Sequence, residues 1–188
     1  MKVRICNNFI CWLCPTCLTT LLAAAQDRVN RPGVIKINID GSCPGSPPIP
    51  ALGVIVRDTN GLVLFGFGRP VPFSNDTAIV EAHSLVAGIR CASVLPNGDI
   101  IMESDLRNLV AQLLSQYNDL SMVSFHLVAA RELLASHPHI KVCYVRPSAD
   151  QVVHSLAHWG SSTQHDLYFD SDCPSFLTDF VLNDAIKA

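Results

Sequence analysis

Three short runs of alternating apolar and polar residues constrain the fold of this chain most. In "VIKINIDG", at residues 34–41, isoleucines alternate with polar side chains, which is the pattern of a strand with one buried face. Similar runs follow at 51–58 and 62–70, and the turn Asp58–Gly61 between them contains Asn-Gly, a hairpin signal. The three runs therefore predict an antiparallel meander.

The rest of the chain alternates between helical and extended patterns. Extended runs at 99–104 and 139–147 are separated by segments with helical spacing of apolar residues. The spacing predicts a helix after Asp76, whose side chain suits an N-cap, and further helices at about 106–116, 121–136 and 149–158. Hairpins followed by β-α-β crossovers indicate an α/β fold, a five-stranded mixed sheet with its first three strands antiparallel and helices on both faces.

The patterns divide the chain into a leader (1–33), one domain (34–160) and a C-terminal tail (161–188). The leader has three interpretations. Basic residues precede an apolar stretch and then Ala23-Ala24-Ala25, the outline of a secretory signal peptide. Cysteines 11, 14 and 17 have a spacing that could ligate zinc or an iron–sulfur cluster. The segment could also be an unstructured leader without a function.

Composition restricts the function classes. The net charge is −3 and the pI is about 6.1, which disfavours a dedicated nucleic-acid binder but not a metal-dependent nuclease, whose acidic site lowers the net charge. Four of the eight cysteines crowd the first 17 residues and four are scattered, so a disulfide scaffold is not expected.

Three carboxylates stand at positions that the predicted topology brings together. Asp40 ends the first run, Asp105 follows the fourth, and Glu81 lies near the start of the first helix. If the first and fourth strands pair, the three side chains meet and repel one another, and a divalent cation such as Mg²⁺ relieves the repulsion. Two such ions can hold a water and a leaving oxygen for phosphodiester cleavage. Taken singly, the residues also suit a turn, an N-cap and a solvated helix position.

Four blocks in this order resemble the plant ribonuclease H-like domain of non-LTR retroelement reverse transcriptases. They are "INIDGS", "VEAHSLVAGIRCA", "IIMESDLRNLV" and "RPSADQVVHSLAHWG", and the resemblance covers roughly residues 33–160. It implies a ribonuclease H fold and Mg²⁺-dependent hydrolysis of RNA in RNA–DNA hybrids, with two ions and Mn²⁺ as a substitute. The implied metal ligands are Asp40, Glu81 and Asp105.

The fourth block departs from the family pattern. His154 stands where the fourth acid is expected, and Asp150 stands where Asn is usual. Asp150 precedes His154 by one helical turn, about 6 Å along the axis, which is too far to replace a lost ligand. Because imidazole suits Mg²⁺ poorly, we expect a weakened second metal site.

The sequence therefore predicts a hybrid-specific ribonuclease with no small-molecule cofactor and no membrane segment, acting as a monomer. Its candidate catalytic residues are Asp40, Glu81, Asp105 and His154, and its candidate substrate-binding residues are Gly41, Ser42 and Asp150. An alternative is a catalytically impaired relic that binds nucleic acid or protein, and a third is a secreted protein that uses the fold for another purpose. By analogy with the family, the expected location is nuclear or cytoplasmic, although the signal-like N-terminus leaves the secretory route open.

Overall fold

The alternating runs form the strands of a single sheet. The computed structural model describes residues 4–6, 33–45, 49–71, 74–96, 98–115, 120–147 and 151–187. Its strands are β1 (Arg4–Cys6), β2 (Ile35–Ser42), β3 (Ala51–Arg57), β4 (Val63–Pro70), β5 (Ile100–Ser104), β6 (Ile140–Tyr144) and β7 (Asp166–Phe169). They lie side by side in the order β1-β7-β4-β3-β2-β5-β6.

The pairing of the strands confirms the predicted topology. Strands β2, β3 and β4 form the antiparallel meander. Strand β5 pairs with β2 in parallel, and β6 pairs with β5 in parallel. The carboxyl ends of β2, β5 and β6 therefore meet at one edge of the sheet, which is the edge that carries Asp40 and Asp105.

In the described part of the chain, five helices cover the sheet. They are α1 (Thr77–Ser93), α2 (Arg107–Leu114), α3 (Met122–Ser136), α4 (Gln151–Thr163) and α5 (Ser175–Lys187). Helix α1 begins after Asp76, whose carboxylate accepts a hydrogen bond from Ala78 N as expected of an N-cap. No helix in the described part of the chain is long and apolar enough to cross a membrane.

The apolar side chains form one core on each face of the sheet. The larger core joins β2, β4 and β5 to α1 and α3, and it contains Cys91 of α1, which is fully buried. The smaller core joins β3 and β7 to α4 and α5. The predicted mixed sheet with helices on both faces is confirmed.

The described residues give the sheet two strands more than the predicted five. Strand β1 falls in the predicted leader, and β7 falls in the predicted tail together with α5. Both strands are very short, so neither run is long enough to show a clear period of two. Apart from Gly33, the rest of the leader, including Cys11, Cys14 and Cys17, lies outside the described residues, as does Asp150.

Candidate active site

The register of β2 and β5 brings Asp40 and Asp105 to the same edge of the sheet. Ile39 of β2 is opposite Ser104 of β5 in the parallel ladder, and each aspartate is the next residue along the chain. Asp40 is buried, with 5% of its surface exposed. The position of this carboxylate is well fixed, because β2 pairs with β3 on one side and with β5 on the other.

Glu81 reaches the same place from α1, and Gly41 makes this possible. A Cβ atom built on Gly41 would lie 2.9 Å from Glu81 N and 3.0 Å from Glu81 Cα. Because a real Cβ essentially never comes so close to backbone atoms, only glycine lets α1 pack directly on the end of β2. The close approach places Glu81 beside the two aspartates.

The three carboxyl groups repel one another in a partly desolvated site. Burial, followed by the charges of Asp40 and Asp105, raises the pKa of Glu81 to about 7. Burial also raises the pKa of Asp40, and Asp105 adds to the rise. Burial raises the pKa of Asp105 as well, and its Oδ1 is buried without a hydrogen bond from any described residue. The site therefore carries more negative charge than its described neighbours compensate.

His154 contacts this acidic cluster directly. Its Nδ1 lies 2.9 Å from Asp40 Oδ2, while the imidazole is 67% exposed and the Asp40 side chain only 8%. The neighbouring imidazole lowers the pKa of Asp40, which opposes part of the effect of burial. The structure thus brings together Asp40, Glu81, Asp105 and His154, the four residues that the sequence predicts to be catalytic.

Two of the three predicted substrate-binding residues lie at the site, and the third, Asp150, is outside the described residues. Gly41 and Ser42 end β2 beside the acidic cluster, and Ser42 is buried. The contact of Gly41 with α1 gives it a structural role that the sequence did not reveal, and a role of either residue toward substrate stays a prediction.

The carboxylate oxygens of the site are suitable ligands for a divalent cation. Carboxylate oxygens, one of them buried and unpaired, are the ligands that Mg²⁺ and Mn²⁺ take. One oxygen of Asp40, however, is occupied by His154. Among the described residues, no three carboxylate, histidine or cysteine side chains form a group that could hold a metal ion as they stand. The residues therefore fit a divalent cation by the chemistry of their donor atoms, although the described side chains do not form a complete metal site as they stand.

A basic and aromatic pair flanks the site. Arg107, at the start of α2, lies with its guanidinium carbon 4.7 Å from the centroid of the Tyr144 ring. Neither Arg107 nor Tyr144 was predicted from the sequence to lie at the site. The signal that could have found Tyr144 is the register of β6, since Tyr144 is opposite Ser104 and so ends its strand beside Asp105.

Comparisons with known proteins agree with this geometry. Residues 38–160, more than half of the chain, match the model of the family described as reverse transcriptase-like. No curated protein matches the sequence significantly.

Solved ribonuclease H structures share the fold. RNase H1 from the halophilic archaeon Halobacterium salinarum has 21% identity and a TM-score of 0.61, covering 68% of this chain and 97% of its own. An N-terminal RNase H domain from Mycobacterium tuberculosis has 19% identity and a TM-score of 0.61, covering 70% and 96%. LC11-RNase H1 in complex with an RNA/DNA hybrid, a protein whose source is compost metagenome, has 13% identity and a TM-score of 0.60, covering 68% and 96%. The chain thus belongs to the reverse transcriptase-like family, and its sheet and helices form a ribonuclease H-like domain.

Proposed function

We propose that this chain is a ribonuclease H-type hydrolase that cleaves the RNA strand of RNA–DNA hybrids. The observation that carries the proposal is the convergence of Asp40, Glu81 and Asp105 at one edge of a ribonuclease H-like sheet, with one buried oxygen left unpaired. Buried carboxylates that repel one another reduce stability, so such a cluster is typical of a functional site.

The three carboxylates are the residues that would hold a divalent cation. When bound, Mg²⁺ or Mn²⁺ supplies the positive charge that favours attack of water on a phosphodiester. The chain's own contribution is a rigid and partly desolvated cradle on β2, β5 and α1. The reaction that suits this cradle is attack of water on an RNA phosphate with departure of the 3′-oxygen.

Local basic groups must supply the nucleic-acid contacts, because the net charge of the chain is −3. Arg107 is exposed and stacked on Tyr144 next to Asp105, so we expect its guanidinium to contact a phosphate of the substrate. The hybrid in the LC11-RNase H1 complex supports a hybrid as the partner of this fold.

A second candidate function is a binding module that keeps the fold without hydrolysis. The contact between His154 and Asp40 favours this candidate, because it occupies an oxygen that a cation would use. Both candidates require nucleic-acid binding, and they differ in cleavage.

The test is cleavage of an end-labelled RNA–DNA hybrid by the full chain with Mg²⁺ or Mn²⁺. We expect Asp40→Asn to abolish cleavage and Asp99→Asn to leave it unchanged. Asp99 is an exposed aspartate before β5, at the opposite end of the sheet, so it provides a matched control. Binding of the hybrid without cleavage would support the module, and neither binding nor cleavage by folded protein would refute both functions.

A further inference from the structure

Helix α4 is seated firmly on the sheet directly beside Asp40. Asp40 is opposite Gly53 in the β2–β3 ladder. A Cβ atom on Gly53 would lie 2.7 Å from Val153 O and 3.0 Å from Ala157 N, both backbone atoms of α4. Val152, Val153 and Ala157 are fully buried on the same helix. His154 directly follows Val153, so its position is set by the tight packing of the α4 backbone on Gly53.

The seating of α4 gives His154 a short reach to Asp40. The 2.9 Å separation of Nδ1 and Oδ2 is that of a charge-assisted hydrogen bond. Because Nδ1 lies against Oδ2, a cation that approaches this oxygen from the same side must displace the imidazole. The ring is 67% exposed, so solvent can receive it without disturbing the core. Among the described residues, His154 forms no hydrogen bond with Glu81 or Asp105, so the oxygens of these two carboxyl groups stay open to a cation.

We infer that His154 competes with divalent cations for Asp40 and thereby weakens cation binding at the acidic site. In this role His154 is a positioning residue that holds Asp40 in a cation-free arrangement. The inference takes from the proposed function only that Asp40 is a cation ligand, and it does not require that the chain cleaves RNA. A role of His154 as a metal ligand would be different, since the two roles predict opposite effects of removing the ring.

The decisive experiment is calorimetric titration of Mg²⁺, and separately Mn²⁺, into the full chain at pH 8. For His154→Ala we expect binding about tenfold tighter than for the unchanged chain, because a hydrogen bond to a charged group is lost only from the cation-free state. His154→Asp should bind tighter still, because it adds a carboxylate. His158→Ala, at an exposed position one turn further along α4, should leave the affinity unchanged.

The outcomes separate the two roles. Weaker or unchanged binding by folded His154→Ala would overturn the inference. A second readout needs no variant: saturation with Mg²⁺ should shift the ¹⁵N resonance of His154 Nδ1 as the bond to Asp40 breaks, and an unmoved resonance would also overturn it. Tighter binding by His154→Ala without hydrolysis in any variant would uphold the competition and refute the proposed enzyme. Hydrolysis with unchanged affinity would have the reverse meaning.

Discussion

Replacement of Gly41 by alanine tests how the acidic site is assembled. The added Cβ would lie 2.9 to 3.0 Å from Glu81 N, Glu81 Cα and Val80 C. All three are backbone atoms in the body of α1, so no side chain can rotate to make room. The helix must move away from β2, and overpacking of this kind costs about 1–3 kcal/mol of the free energy of unfolding.

The displacement should also change the electrostatics of Glu81. Its pKa of about 7 depends on burial and on the nearness of Asp40 and Asp105. As α1 moves outward, Glu81 gains water and loses contact with the two charges, so its pKa should fall toward the ordinary value of 4.5. The loss of stability and the change of pKa thus have one cause.

The assay is urea unfolding of both variants with an NMR titration of the Glu81 carboxyl carbon. Gly98→Ala is the matched control, because Gly98 is exposed and the nearest atoms to its added Cβ are carbonyl oxygens at 3.9 Å. We expect the control to change the free energy of unfolding by less than about 0.5 kcal/mol. A Gly41→Ala variant as stable as the control, with the pKa of Glu81 still near 7, would refute this account of the packing.

Three further predictions concern pH and helix ends. Burial, followed by the charge of His126, lowers the pKa of His83 to about 4. Since the unfolded chain binds this proton at a higher pH than the folded chain, the free energy of unfolding should decrease as pH falls from about 6.5 to about 4. His83→Gln should reduce this pH dependence in urea unfolding. The raised pKa of Glu81 has the opposite effect, because the cost of ionising the buried carboxyl group lowers stability as pH rises from about 4.5 to about 7. Glu81→Gln should therefore stabilise the chain at pH 8 and change its stability little near pH 4, as measured by thermal unfolding at both pH values. Arg131 Nε and Nη2 donate to Leu113 O and Gln112 O at the end of α2, so Arg131→Ala should cost about 1–2 kcal/mol in urea unfolding, with Arg90→Ala as a control.

The positions of the three carboxylates could be predicted because each follows from local pattern and topology. Alternation locates the end of β2 at Asp40, and Asp105 joins it on the condition that β2 and β5 pair, which they do. The contact between His154 and Asp40 could not be predicted in the same way. It joins residues 114 positions apart and depends on how closely α4 packs on Gly53, which no periodicity records.

Very short strands also escaped the sequence patterns. Strand β7 has four residues and takes its conformation from pairing with β4 and β1. The strand propensity of four residues depends on local sequence alone, whereas the hydrogen bonds that stabilise β7 come from segments distant in the chain. The same reason explains why the close pair of His83 and His126, with ring centroids 4.2 Å apart, was not foreseen.

The buried thiol of Cys91 makes the chain its own reporter of local opening. Burial raises the pKa of this thiol to about 12, and the thiolate is the form that reacts with alkylating reagents. Modification of Cys91 therefore requires that α1 separate from the sheet, at least for a moment. The rate of labelling at Cys91, followed by mass spectrometry, measures how often α1, the helix that carries Glu81, opens away from the sheet. The same rate gives the time for which the acidic cluster stays assembled between two openings.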